Sequence, residues 1–329
     1  MPVKLGSVDT GDHRGRYPVS EVNIEVPTGW LLEGDPAIRW QALADLCGAD
    51  PQTVARERAR VAAQGWGARL LALQDPGGTW AGGLYTPKWT STTSTLLLLR
   101  SLGLPAGNEQ ALAGCRLLLD AGLFRDGGIN LWRKSQKTSE TCVSGMVLSI
   151  AAFFGLRDPR LETLAGYLFQ EQMPDGGWNC RRARGATHGS FHTTISALEA
   201  LLDYQRHDPP CRSELCAAAS RGREFLLKHR LFRSHRTGAV VDAAMTRFAF
   251  PTRWHYDILR ALDYFRDAGA ERDPRLEEAV AIVRKRQQKD GRWTLPRGYS
   301  GQVFFELEKV GLPSRWNTLR ALRVLKWWG

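Results

Sequence analysis

A seven-residue motif, Gln-x-x-x-Gly-x-Trp, occurs three times along this chain: Gln74–Gly78–Trp80, Gln172–Gly176–Trp178 and Gln287–Gly291–Trp293. The copies start 98 and 115 residues apart, each about twice a ~50-residue unit, and such a period marks a repeat architecture. Each residue has a physical job. The Gln stands at the end of one helix, the Gly permits a turn with positive φ, and the Trp folds back as a large apolar lid.

Helical patterns of two kinds fill the intervals. Residues 38–46, 90–102, 140–154, 192–204, 255–265 and 317–328 are apolar runs that begin just after a polar or aromatic cluster. Residues 51–74, 109–123, 159–172, 213–229 and 274–288 are amphipathic and more charged. Their starts are well formed: Asp50-Pro51 and Asp273-Pro274 each place a cap before a first-turn proline. Long alternating strand patterns are missing. An inner ring of apolar helices inside an outer, half-exposed ring satisfies both sets, because one helix pair alone cannot bury its apolar face. The expected fold is therefore all-α, an α/α toroid forming one domain over residues 1–329. Repeats span 36–329, and an irregular N-terminal segment, 1–30, closes the ring where a sixth outer helix is not evident.

Composition narrows the function classes. The 329 residues include 43% hydrophobic and 24% charged side chains, an ordinary globular balance. There is no apolar run long enough to span a membrane and no secretory signal in the polar start. The six scattered cysteines are read as reduced, which with the other two points gives a cytoplasmic expectation. Net charge is +11. Nucleic acid is not the expected partner, since zinc-finger spacing, an RNP-type aromatic motif and a basic heptad helix are all lacking. A diphosphate or an anionic membrane surface suits the charge equally. Trp327-Trp328 beside Lys326 would allow peripheral membrane contact or anchor the seam of the ring.

Gln-x-x-x-Gly-x-Trp repeats joining inner to outer helices resemble those of the squalene–hopene cyclase and protein prenyltransferase superfamily, over about residues 36–329. The resemblance implies an α/α6 toroid with a central cavity lined by inner-helix starts. It also implies an enzyme that handles isoprenoids, by cyclisation or by zinc-assisted prenyl transfer.

Repeated words at the inner-helix starts set a register: Arg39-Trp40-Gln41, Arg253-Trp254-His255, Arg315-Trp316-Asn317 and the near copy Lys88-Trp89-Thr90. The residue after the Trp position then reads Gln41, Thr90, Glu140, His192, His255 and Asn317. Two further on come Leu43, Thr92, Cys142, Thr194, Asp257 and Leu319. Equivalent positions of a ring face one rim, so Glu140, Cys142, His192, His255 and Asp257 are expected to converge. A thiolate, an imidazole and a carboxylate suit zinc with an open position. The prenyltransferase resemblance implies the same set, with Cys142 and His192 in the family's Cys and His places. Glu140 stands where the family has Asp, which moves the carboxylate. His255 and Asp257 are then a further ligand or the acid/base pair, with Glu140 as a second carboxylate. Asp257 is also a candidate acid tuned by burial.

Two basic clusters, Arg181-Arg182 and Arg236 in a later loop, are candidates for holding a diphosphate, because guanidinium forks match phosphate oxygens. Trp89, Phe191 and Tyr256 are candidate cavity aromatics for a polyprene or carbocation. Neither Asp-x-Asp-Asp nor Asp-Asp-x-x-Asp occurs, which disfavours standard triterpene cyclisation and magnesium-dependent ionisation. Two other classes stay open: a non-catalytic binding or scaffold toroid, and a glycan-active enzyme using Glu140 and Asp257 as paired carboxylates.

Overall fold

The structure, a computed structural model, describes residues 25–329 apart from position 211. It is all-helical. Among the described residues, thirteen α-helices run in order: α1 (Glu25–Leu32), α2 (Pro36–Asp45), α3 (Pro51–Ala59), α4 (Gly65–Leu71), α5 (Thr92–Leu102), α6 (Glu109–Gly122), α7 (Thr141–Phe153), α8 (Arg160–Gln170), α9 (Phe191–His207), α10 (Ser213–Lys228), α11 (Ile258–Asp267), α12 (Glu277–Lys285) and α13 (Arg315–Trp328). Among the described residues, pairing of extended backbone is limited to isolated bridges.

The apolar runs became the most buried helices. In α7 and α9 nearly every face is covered, whereas α3 buries no residue. The buried helices are neighbours in chain order: α5 packs on α7, α7 on α9, α11 on α13, and α13 on α2. Two side-chain links supply the remaining neighbours. Glu199 of α9 accepts from Arg260 of α11 at 2.7 and 2.8 Å. Trp40 and Gln41 of α2 donate to the last carbonyls of α5, at Leu102 and Ser101. The amphipathic helices bridge these pairs: α4 touches α2 and α5, α6 touches α5 and α7, α8 touches α7 and α9, and α12 touches α11 and α13. α1 packs on α13 and α2. The segment expected to close the ring, 1–30, lies outside the described residues except for this helix start.

The expected helix over 51–74 is broken. α3 runs into a short 3-10 turn, and a new helix begins at Gly65, whose φ is +65°. Asp35 caps this second start through the Trp66 amide as well as its own helix through Ala37. A positive-φ glycine ends one helix because it turns the chain out of the right-handed region.

All three motif copies build one turn. The Gly residues hold φ of +83°, +88° and +79°. Each Gln amide donates to the Gly carbonyl four residues on, at 2.9, 2.8 and 3.2 Å. Each Trp is buried, and its indole N–H donates to the carbonyl ten residues earlier, at Leu70, Leu168 and Val283. Each Trp amide donates to a threonine of the next buried helix: Thr92, Thr194 and Thr318, at 3.0–3.1 Å. Ile129 and Ala249 repeat that last bond without the Trp, donating to Ser144 and Asp257.

Cys216 is disulfide-bonded, whereas Cys47, Cys115, Cys142 and Cys180 are free. The expectation of six reduced cysteines is therefore corrected at Cys216. Scattered positions in a chain conceal such pairing, because it depends on how closely the β-carbons approach in space.

Candidate functional site

The anchoring side chains Thr92, Ser144, Thr194, Asp257 and Thr318 define the true register of the helix starts. Two residues before them stand Thr90, Cys142, His192, His255 and Trp316. Glu140 thus leaves the column in which it was placed, Cys142 enters it, and Trp316 replaces Asn317. A side chain that must satisfy a buried amide fixes register more strictly than a two-letter word such as Arg-Trp, since an unpaired buried amide costs on the order of 1–3 kcal/mol.

The expected site residues separate into two groups. Cys142 meets Cys180 rather than a histidine. The hydrogen bond between the thiols, then burial, pushes Cys142 well above the ordinary thiol range. The same bond, with help from the Thr193 hydroxyl at 3.1 Å, brings Cys180 down to about 7. Glu140 precedes α7 and accepts from Gln136 at 3.1 Å. His192 lies instead with His255 and Trp254, at ring separations of 5.8 and 5.3 Å. His255 is stacked between Trp254 and Tyr299, each 3.7 Å away.

These side chains do not fit a zinc ion. Nδ1 of His192 accepts the Tyr256 amide at 2.8 Å. A neutral imidazole in that bond carries its proton on Nε2 and has no lone pair left for a metal. Among the described residues, no three His, Cys, Asp or Glu side chains are grouped as a ligand set. Asp257 is fully buried and committed: it accepts the Arg260 amide at 2.8 Å and the Ala249 amide at 3.3 Å, and lies 3.8 Å from Arg320. It anchors α11, and burial raises its carboxyl pKa, as expected of it, against the opposing pull of Arg320 and the two amides. Of the expected anion-holding residues, Arg182 pairs with Glu171 at 3.0 Å. Arg181 and Arg236 sit on exposed turns.

The cavity lies elsewhere. It encloses about 380 Å³ and takes wall residues from α2, α5, α7, α9, α11 and α13. Its interior is strongly charged: eight arginines and Lys88 face five carboxylates. Most are paired across helices. Arg100 of α5 meets Asp203 of α9 at 2.6 Å, Arg266 meets Asp45 at 3.1 Å, and Arg323 of α13 bonds Asp263 of α11 and Asp45 of α2. Arg58 spends its Nε–H on the Gly103 carbonyl and lies over Trp40 and Phe153.

No family model matches this sequence, and no curated protein matches it either.

Arg253 stands apart in the cavity wall. Among the described residues it meets no carboxylate, and its Nη1 is buried with no hydrogen-bond partner. Burial alone brings its pKa down to about 10. Its backbone has φ of +55°, a left-handed conformation that a long side chain adopts at some cost. The guanidinium lies 5.3 Å from the Trp89 ring, and the Lys88 ammonium lies 5.5 and 5.7 Å from Trp89 and Trp254. Phe250 is stacked on Trp316, 4.0 Å away, in the same wall. Of the aromatics expected in the cavity, Trp89 is there, while Phe191 and Tyr256 pack on one another outside it. The signal for the cationic pair was in the sequence as the words Lys88-Trp89 and Arg253-Trp254, which served there only to align repeats.

His255 gives a pH prediction. Burial, then His192, Arg297, Arg260 and Lys88 around it, lower its pKa to about 4. The unfolded imidazole titrates near 6.5, so between those values the unfolded chain binds more protons and stability must fall as pH falls. We expect unfolding free energy to be flat above pH ~7 and to decline from about pH 6.5 to 4, by on the order of 1–3 kcal/mol from this group. Urea midpoints of wild type and His255→Phe across that range check it. An identical slope in both proteins would remove His255 as the source.

Proposed function

We propose that the chain is an α/α toroid of the prenyltransferase and squalene-cyclase type, and that its central cavity binds an amphiphilic anion of the isoprenoid diphosphate class. The circuit of neighbours α2, α5, α7, α9, α11, α13 and back to α2, with amphipathic helices outside it, supports the architecture. The threefold turn motif supports the likeness to that superfamily.

Arg253 carries the functional reading. The guanidinium is half-buried, and its buried Nη1 lacks a hydrogen-bond partner, a loss that persists where something compensates for it. A ligand anion is the natural complement, and Lys88 adds a second positive charge at the exposed edge of the same wall. Trp89, Trp254, Phe250 and Trp316 offer aromatic faces to an apolar body. The volume is at the low end of the ~300–1,000 Å³ usual for ligand pockets, which suits a small anionic head and the carbons next to it.

As an enzyme, such a site favours ionisation over protonation. The carboxylates of the cavity are engaged by arginines or other donors, so none is a free proton donor. Heterolysis of an allylic C–O bond sends the electron pair to diphosphate, which Arg253 and Lys88 hold, and leaves a cation against the indole faces. Neither Glu140 nor Asp257 lines this cavity, so its wall lends no support to the glycan-hydrolysing alternative.

Calorimetric titration with geranyl diphosphate tests the reading. Arg253→Gly should weaken binding roughly 10–100-fold, the worth of a charge-assisted hydrogen-bond pair. Glycine also relieves the backbone at φ +55°, so the variant should melt no lower than wild type. Unchanged affinity in Arg253→Gly would end the proposal.

A further inference from the structure

A second cavity of about 220 Å³ lies under residues 294–314, the later part of the long connection between α12 and α13. That connection is clasped to the cavity mouth. The Trp89 amide donates to the Gln302 carbonyl and the Gln302 amide to the Lys88 carbonyl, both at 2.6 Å. The Trp89 indole N–H donates to Ser300 at 3.0 Å. Long loops without secondary structure inside a compact fold are commonly functional covers.

The space beneath is mainly apolar, with Leu70, Leu98, Phe250, Leu295, Phe304 and Phe305 in its wall. Of its two carboxylates, Glu308 is used up capping α13 through Ser314, Arg315 and Trp316, and Glu306 is exposed. The two cavities share Trp89, Leu98, Phe250, Pro251 and Arg253 as common wall. Arg253 therefore stands where a charged chamber adjoins an apolar one.

We propose that the cavity under residues 294–314 is the hydrocarbon subsite: it takes the prenyl chain of a ligand whose anionic end is held by Arg253 on the central side. This rests on the anion-binding reading above and adds where the chain goes and what limits its length. Leu98, Phe250 and the 294–314 connection are then specificity-determining, since apolar walls reward each buried methylene and reject a chain too bulky to fit.

Gly298 offers the test. It lines this cavity, and a β-carbon there would meet only Val310, at 3.7 Å, an ordinary contact. Gly298→Leu should therefore fold and fill the subsite, with Gly298→Ala as the milder control. Inorganic diphosphate, geranyl diphosphate and geraniol are titrated into wild type and both variants by tryptophan fluorescence. In wild type, geranyl diphosphate should bind at least roughly tenfold tighter than inorganic diphosphate. Gly298→Leu should lose that tenfold gain and bind geraniol correspondingly more weakly. Its affinity for inorganic diphosphate should stay within about twofold of wild type.

Equal affinity of wild type and Gly298→Leu for geranyl diphosphate overturns the subsite. So does a variant that loses inorganic diphosphate to the same degree. If inorganic diphosphate fails to bind wild type while geraniol binding is still lost in Gly298→Leu, the anion reading falls and the hydrocarbon subsite stands.

Discussion

Asp263→Ala is expected to destabilise the protein by about 3 kcal/mol, the lower end of the cost of breaking a buried ion pair, because it removes the carboxylate that three cations share. Asp263 on α11 is the hub of the paired charges in the cavity. Arg323 of α13 reaches it through Nε at 2.6 Å and through Nη2, while Arg320 and Arg266 lie 3.6 and 3.7 Å away. The side chains are largely out of water: Arg320 is 5% exposed, Arg323 11% and Asp263 12%. The arginines hold the Asp263 carboxyl below its usual range despite burial. Removing it takes the shared counter-charge from three guanidinium groups at the contact between α11, α13 and α2, leaving Arg323 and Arg266 to Asp45 and Arg320 to Asp257. Urea denaturation measures the loss. A second variant separates the pair from its parts: Asp263→Leu with Arg323→Met should lose less than Asp263→Ala, because an apolar pair of similar volume needs no counter-charge. A loss under about 1 kcal/mol for Asp263→Ala would show that these charges remain hydrated.

Trp178→Ala should cost about 3–5 kcal/mol as well, by a different route. The indole is fully buried between α8, α9 and α10. It lies so close to Gly222 of α10 that a β-carbon on that glycine would come within 2.6 Å of the ring. Alanine leaves a cavity bounded by backbone, which collapses poorly, and removes the donor to the Leu168 carbonyl. Trp178→Phe keeps most of the apolar volume and should recover more than half of the loss. Thermal unfolding of the two variants decides, and a Trp178→Ala protein within about 1 kcal/mol of wild type would show that the turn is not held by its lid. Trp80 is seated on Gly114 of α6 in the same way, so the result should carry over to the first copy.

The candidate site was less legible than these packing features. Cys142 and His192 were aligned by words at the helix starts, yet they meet different partners. Cys142 turns to the thiol that follows the Trp178 turn, and His192 turns to the chain entering α11. Asp257 is raised by burial, as expected, and it also anchors α11 by accepting the incoming Ala249 amide, a bond the sequence did not show. Arg253 and Lys88 are at the cavity because the strained turn before α11 and the clasped segment before α5 aim them inward. Nothing local to the residues Arg-Trp states that direction.

By itself the sequence determined most of the helices (the break at Gly65 excepted), their division into buried and half-exposed sets, and the turn that joins them. All of these are short-range matters of periodicity, capping and a glycine's freedom at positive φ. Only the tertiary structure decided which side chains share a cavity and which arginine goes unpaired. Those outcomes depend on register between helices far apart along the chain, set by single hydrogen bonds such as Trp178 to Thr194 and Ile129 to Ser144. A shift of one or two residues leaves the helical pattern intact and changes every contact at the rim.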